Sequence, residues 1–180
     1  EYSGTGSILK HMEDRNKEVS WLGLVKDDKK KKLPKYPKSI GVLTSSSGSV
    51  IHDIIHRISE RFPVVQLKVF PISVQGKNSH IEIIDFLDLI ENHDLKDFLK
   101  PDLIIFARGG GSLEELMPFN EPDLIKRVFK LKIPNISAIG HDTDYTLLDY
   151  VSDLRAPTPT AAAEIAVPDK NSLLNQPIIN

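Results

Sequence analysis

The chain has 180 residues, a formal net charge of −2 and no cysteine. That length suffices for one full domain with a sizeable core plus an appendage. The lack of cysteine excludes disulfides and thiolate metal sites and fits a reducing compartment, so a cytoplasmic location is expected. No apolar run approaches the roughly 20 residues of a membrane-spanning helix, and the first residues lack a signal-peptide layout, so no membrane role is expected.

Residues 1–36 show no strand–helix rhythm. Ile8 to Trp21 fits a short helix, and Leu33-Pro34 with Tyr36-Pro37 reads as extended linker. Between them Lys29 to Lys32, with Lys26, Lys35 and Lys38, form a basic stretch. It reads as a solvated linker or as a surface that tracks phosphates.

A regular alternation then begins. Ile40 to Leu43 is wholly apolar, as in a strand buried on both faces. After a turn at Thr44 to Gly48, the residues Val50, Ile51, Ile54, Ile55, Ile58 and Phe62 recur at helical spacing until Pro63. Val65, Leu67 and Val69 alternate with more polar neighbours, which predicts an edge strand. Ser79 and Glu82 have capping-box spacing and open a helix carrying Ile83, Ile84, Leu87 and Ile90. Leu103 to Ala107 is a third strand, followed by the glycines and a second capping box, Ser112 with Glu115. Pro122 to Leu131 is a helix with proline in its first turn, and Ile136 to Ile139 a fourth strand. Thr146 to Val151 and Thr160 to Val167 are short helices.

This alternation predicts an α/β fold: a three-layer parallel sheet of about four strands, order 2-1-3-4, flanked by helices. Ligands in such sheets bind beyond the carboxyl ends of the strands where the order reverses. Here that point lies between strands one and three. The loop after strand one, the glycine loop and the loop after strand four would share one crevice.

Two of those loops carry the chemistry. Arg108-Gly109-Gly110-Gly111-Ser112 sets a guanidinium beside bare backbone N–H groups, which is what a phosphate anion needs. The string matches neither the dinucleotide fingerprint nor the P-loop. A tight turn needing positive φ would explain one or two glycines, but three after an arginine favour a ligand. Gly140-His141-Asp142-Thr143-Asp144 sets an imidazole just ahead of two carboxylates that can fix its tautomer and stabilise its cation. Paired Asp could instead hold a divalent metal, and the spacing alone does not separate these. Asp53, early in the first helix, reads either as a site residue or as a partner of the helix dipole. His52 and His56 are four apart but lack the zincin glutamate, so no metal is assigned there. Arg155-Ala156-Pro157-Thr158-Pro159-Thr160 is stiff and extended, with Thr158 capping the alanine-rich helix that follows. Its rigidity could hold Arg155 and the threonine hydroxyls against a phosphodiester.

These strings together carry a resemblance. Ile40-Gly41-Val42-Leu43-Thr44-Ser45 through Asp53, the Arg108 to Glu114 string, Gly140 to Asp144, and Asp153 to Glu164 closely resemble the large subunit of exodeoxyribonuclease VII. The similarity covers roughly residues 22 to 168. It implies a bidirectional, single-strand-specific exonuclease that releases oligonucleotides with 5′-phosphates. It also implies no required cofactor; divalent metal at Asp53, Asp142 and Asp144 is the alternative. Carried over by position, the essential residues are Asp53, Arg108, His141 and Asp144. Asp142 stands where many members have Glu. Gly109, Gly110, Gly111, Ser112, Arg155 and Thr158 are the expected phosphate contacts.

The resemblance further implies three regions: 1–36 as a linker leaving an absent OB-fold, 37–168 as the nuclease core, and 169–180 as the start of a helical region. The implied partners are single-stranded DNA and a small subunit reached through that helical region. The rival reading from another class is a non-catalytic phosphate- or nucleotide-binding α/β module.

Overall fold

The computed structural model describes residues 29–45, 48–73, 76, 78–91, 100–110, 112–140 and 145–170, with 10, 13, 14 and 17. Of the helix expected at Ile8 to Trp21, only those last four residues are described, and all have helical backbone. The rest of that stretch lies outside the described residues.

The core is a parallel sheet built from β1 (Ser39–Thr44), β2 (Gln66–Pro71), β3 (Leu103–Ala107), β4 (Asn135–Ala138) and β5 (Leu154–Arg155), in the order β2-β1-β3-β4-β5. Every neighbouring pair is parallel. The first four strands stand in the expected order. The fifth corrects the expected strand number: Leu154 and Arg155 pair with Ile136 and Ser137 and extend the sheet. The stiffness read from Pro157 and Pro159 is compatible with this, because an extended segment beside β4 needs only two paired residues to become an edge strand.

Both faces of the sheet are covered, which explains why β3 and the stretch Ile40 to Leu43 of β1 are apolar throughout. One face receives α1 (Ser49–Arg61) and α6 (Pro159–Ala166), which close over Ile40, Val42, Leu103, Ile105 and Ile136. The other receives α2 (Ser79–Glu91), α4 (Pro122–Lys130) and α5 (Leu147–Val151), packed on Leu43, Ile104 and Phe106. A short helix, α3 (Leu113–Leu116), runs into a 3-10 turn at Met117–Asn120. Gly41 in the middle of β1 has a packing reason. A Cβ there would stand 3.0 Å from Pro101 and 3.1 Å from Phe70, which cross over it.

Of the three caps expected at Ser79, Ser112 and Thr158, two form. Thr158 accepts from the Ala161 N–H at 3.0 Å and opens α6 as expected. Ser112 and Glu115 form the expected capping box on α3. At α2 the box does not form. The helix is entered through the Asn78 carbonyl, Ser79 donates its hydroxyl back to the Gly76 carbonyl at 2.9 Å, and Glu82 accepts from the N–H and hydroxyl of Ser73. The carboxylate found better-placed donors on the approaching loop than on its own helix terminus.

The lead-in is fastened to the amino-terminal edge of the sheet. Lys31 donates its backbone N–H to Asp153 at 2.7 Å and brings its ammonium to the same carboxylate at 3.0 Å. Asp153 also accepts from the backbone and side chain of Asn135 at the start of β4. The N–H groups of Lys38 and Ser39 converge on Asp102, just before β3. Among the described residues no helix is long and apolar enough to cross a membrane.

Candidate active site

The carboxyl ends of β1, β3, β4 and β5 open into one cleft of about 270 Å³. Four segments line it: Ser49, Val50 and Asp53 from α1; Arg108, Gly109 and Gly110 after β3; Ile139 and Gly140 after β4; and Pro157 to Thr160 before α6. The chain runs outward from β1 to β2, then returns to β3 and continues the other way, so this is the switch point of the sheet.

Asp53 is exposed and stands beyond the first turn of α1, which has no acidic residue. Helix-dipole compensation therefore does not account for it, since that effect fades within one turn. Arg108 is only 5% exposed, an unusual state for a guanidinium. Its backbone N–H donates to the Ala138 carbonyl at 3.2 Å, which ties the end of β3 to β4. Its Nη2 donates to Glu115 Oε2 at 2.8 Å, while its buried Nη1 has no hydrogen-bond partner among the described residues. A buried cationic N–H without a partner is costly, so a position with one open donor beside a cleft is a place to look for an anion.

The glycines were ambiguous between a turn and a cradle. Among the described glycines only Gly76 has positive φ, so the turn does not require glycine at Gly109 or Gly110. Space is what Gly109 supplies: a Cβ would stand 3.2 Å from the Val50 side chain across the cleft. At Ser112 the N–H is already engaged, donating to Glu115 Oε2 at 2.8 Å. That bond and the adjacent Arg108 guanidinium hold the Glu115 carboxyl below the usual carboxylate range.

Asp53, Arg108, Gly109, Gly110 and Thr158 thus share one cleft. Arg155 is not among the lining residues. It lies in β5, with its guanidinium 3.9 Å from the centre of the Tyr145 ring and its Nε 3.9 Å from Asp149 Oδ1. Gly111, His141, Asp142 and Asp144 lie outside the described residues. The ends of the segment that carries His141 are defined: Gly140 lines the cleft and Thr146 is fully buried. His52 and His56 are exposed, and His56 sits 3.6 Å from Glu60 on its own helix. Among the described residues no three His, Asp or Glu side chains cluster closely enough to hold a metal ion.

Two further residues matter to the site beyond the helix starts they belong to. Glu115 is also the partner of Arg108. Asp149 is buried and accepts from Ser137 Oγ at 2.6 Å, from the Thr146 N–H at 2.7 Å and from Thr146 Oγ1 at 2.9 Å. It joins β4 to the end of the segment that begins at Gly140. The signal for it was the Thr146–Asp149 spacing, a capping box with Asp in the third place.

Chemically, the cleft brings together an arginine with one buried, unpartnered amino group, a bare backbone stretch and a carboxylate on the facing helix. Such a set can hold the non-bridging oxygens of a phosphodiester and orient a water or a proton carrier beside it.

The chain is similar to known proteins over most of its length. The family model described as "Exonuclease VII, large subunit" matches residues 24–177. The chain is 50% identical over 174 residues to the exodeoxyribonuclease 7 large subunit of Bartonella henselae, covering 96% of this chain and 36% of that protein. It is 47% identical over 180 residues to that of Rhodospirillum centenum, covering 98% and 34%. With the Rickettsia bellii protein it is 48% identical over 173 residues, covering 96% and 38%. The chain therefore spans little more than a third of the length of these relatives.

Proposed function

The chain belongs to the exonuclease VII large-subunit family, and from that premise we propose that it is the catalytic core of a single-strand-specific exodeoxyribonuclease. The observation that carries this reading is the cleft at the switch point. There Asp53, Arg108 and the first two glycines meet although 55 positions separate the aspartate from the arginine.

In this reading a DNA phosphodiester enters the cleft with its non-bridging oxygens against Arg108 Nη1 and the N–H groups of Gly109 and Gly110. As negative charge builds on phosphorus these donors strengthen their hold, and that differential is the source of catalysis. Water attacks in line, the bond from phosphorus to the 3′-oxygen breaks, and a 5′-phosphate is released. His141 moves the proton, taking it from water or giving it to the leaving oxygen. Of Asp53 and Asp144, one orients His141 and the other positions water. Thr158 contacts the neighbouring phosphate. Arg108 supplies in this scheme the positive charge that a divalent cation would otherwise give.

The same reading assigns the rest of the assembly. Residues 1–36 lead from an OB-fold that provides most of the single-strand affinity, and 169–180 begin a helical region that holds the small subunit. The reaction takes place in the cytoplasm.

The test is cleavage of 5′-labelled single-stranded DNA by the full-length large subunit with its small subunit, in excess chelator. Short products with 5′-phosphates are expected. Cleavage abolished by chelator would replace this scheme with a metal-dependent one using Asp53, Asp142 and Asp144. Phosphate binding with no cleavage under any condition would leave a phosphate-binding module.

A further inference from the structure

We infer that Glu115 is a positioning residue for the reaction: its carboxylate commits one amino group of Arg108 to the protein so that the other faces the substrate phosphate. The inference rests on the nuclease reading above and deepens it.

A guanidinium has five N–H donors in a rigid planar fork. When both amino groups are free, the side chain can present either or both, and it samples several orientations. At Arg108 that freedom is removed. Its aliphatic stem is buried, and Nη2 donates to Glu115 Oε2 at 2.8 Å. The same oxygen accepts from the Ser112 N–H at 2.8 Å, so it is itself anchored to backbone at the end of the glycine loop. Because the fork is planar, fixing Nη2 and the stem also fixes Nη1. Nη1 is the atom left without a partner among the described residues, on a residue that lines the cleft.

The arrangement also registers the two halves of the phosphate seat against each other. Arg108 belongs to the end of β3 and Ser112 to the start of α3, with the glycines between them. One carboxylate oxygen bridges the two ends of that loop. It therefore sets where the Gly109 and Gly110 N–H groups lie relative to Nη1. A side chain that only capped α3 would bond Ser112 and point away from the arginine. The contact with Nη2 is what capping does not need.

The observable consequence is coupling. If Glu115 acts through Arg108, removing it after Arg108 is gone should cost nothing more; if it merely caps α3, the two losses should add. The experiment is a double-mutant cycle with Arg108→Ala, Glu115→Ala and the double variant, plus Glu115→Gln. It reads single-stranded DNA turnover in the full-length assembly and, separately, inorganic phosphate affinity by NMR titration. Glu115→Ala should lower turnover about 10- to 100-fold, less than the roughly 100- to 1000-fold of deleting an oriented donor outright, because the guanidinium is still present. Glu115→Gln keeps an acceptor oxygen at the same reach and should stay within about fivefold of wild type. The double variant should match Arg108→Ala alone in both readouts.

Additive losses overturn the inference, as does Glu115→Ala turnover within about threefold of wild type, or Glu115→Gln as impaired as Glu115→Ala. If the wild-type assembly does not cleave DNA, the nuclease reading falls and the phosphate cycle decides this proposal. Non-additive phosphate binding then supports it; additive or absent binding overturns it.

Discussion

Replacing Asp149 by Ala should strongly destabilise the fold. The carboxylate is 3% exposed and receives three hydrogen bonds of 2.6, 2.7 and 2.9 Å from Ser137 and Thr146. Both donor residues are fully buried, so no water replaces the lost acceptor. A hydrogen bond to a charged group contributes roughly 1.5 kcal/mol or more, which puts three of them at about 4–5 kcal/mol. Breaking buried charge networks by truncating one member independently gives about 3–5 kcal/mol. We expect a loss of about 4 kcal/mol, a large part of the 5–15 kcal/mol that holds a typical domain together. Equilibrium urea unfolding, followed by far-UV circular dichroism, measures it as a fall in midpoint. Asp149→Asn keeps one acceptor and turns an amide toward a donor, so it should fall between wild type and Asp149→Ala. A loss below about 1 kcal/mol for Asp149→Ala at unchanged slope would refute the reasoning. It would mean that Ser137 and Thr146 find other acceptors at little cost.

Further outcomes follow from other parts of the molecule. Arg108→Lys should lose most turnover and phosphate affinity while remaining folded, because an ammonium cannot bond Glu115 and present a second fixed donor at once; kinetics of the full assembly check it. Gly110→Val should abolish phosphate binding in NMR titrations without lowering the thermal midpoint by more than a few degrees, whereas unchanged affinity would return the glycines to a purely structural role. Gly41→Val should cost about 1–3 kcal/mol by forcing Pro101 and Phe70 apart, read as a lowered urea midpoint. Glu115 contributes stability that is present above its ordinary carboxylate pKa and is lost as the pH falls through its depressed folded value. The acid limb of a stability–pH curve should therefore be steeper for wild type than for Glu115→Gln.

Most of the sheet was legible because its signals are local. Runs such as Leu103 to Ala107 are apolar on both faces only when helices cover both, and the alternating strand at Val65 to Val69 marks itself as an edge. β5 was not legible, since Leu154 and Arg155 carry no pattern and pair only because β4 offers an open side. The placement of Asp53 and Arg108 in one cleft followed from strand order alone, whereas Thr158 reaches it through β5. The placement of Arg155 did not: it stacks on Tyr145 and lies near Asp149, and neither contact has a sequence rule behind it. Glu115 shows the same limit. Its spacing from Ser112 announces a cap, but nothing in the spacing announces that the same oxygen reaches back to Arg108.

The fastening of the lead-in by Asp153 has a consequence for how this protein can vary. Asp153 Oδ1 takes the backbone N–H of residue 31, a group that every amino acid except proline carries. This half of the tether is indifferent to the side chain it holds; the Lys31 ammonium, 3.0 Å from the same oxygen, adds a charge contact that another residue would lose while keeping the backbone bond. The attachment sits at the amino-terminal edge of β4, and the cleft at the carboxyl edge of the same strand, one strand length away. Surface charge at one edge and chemistry at the other can therefore drift independently.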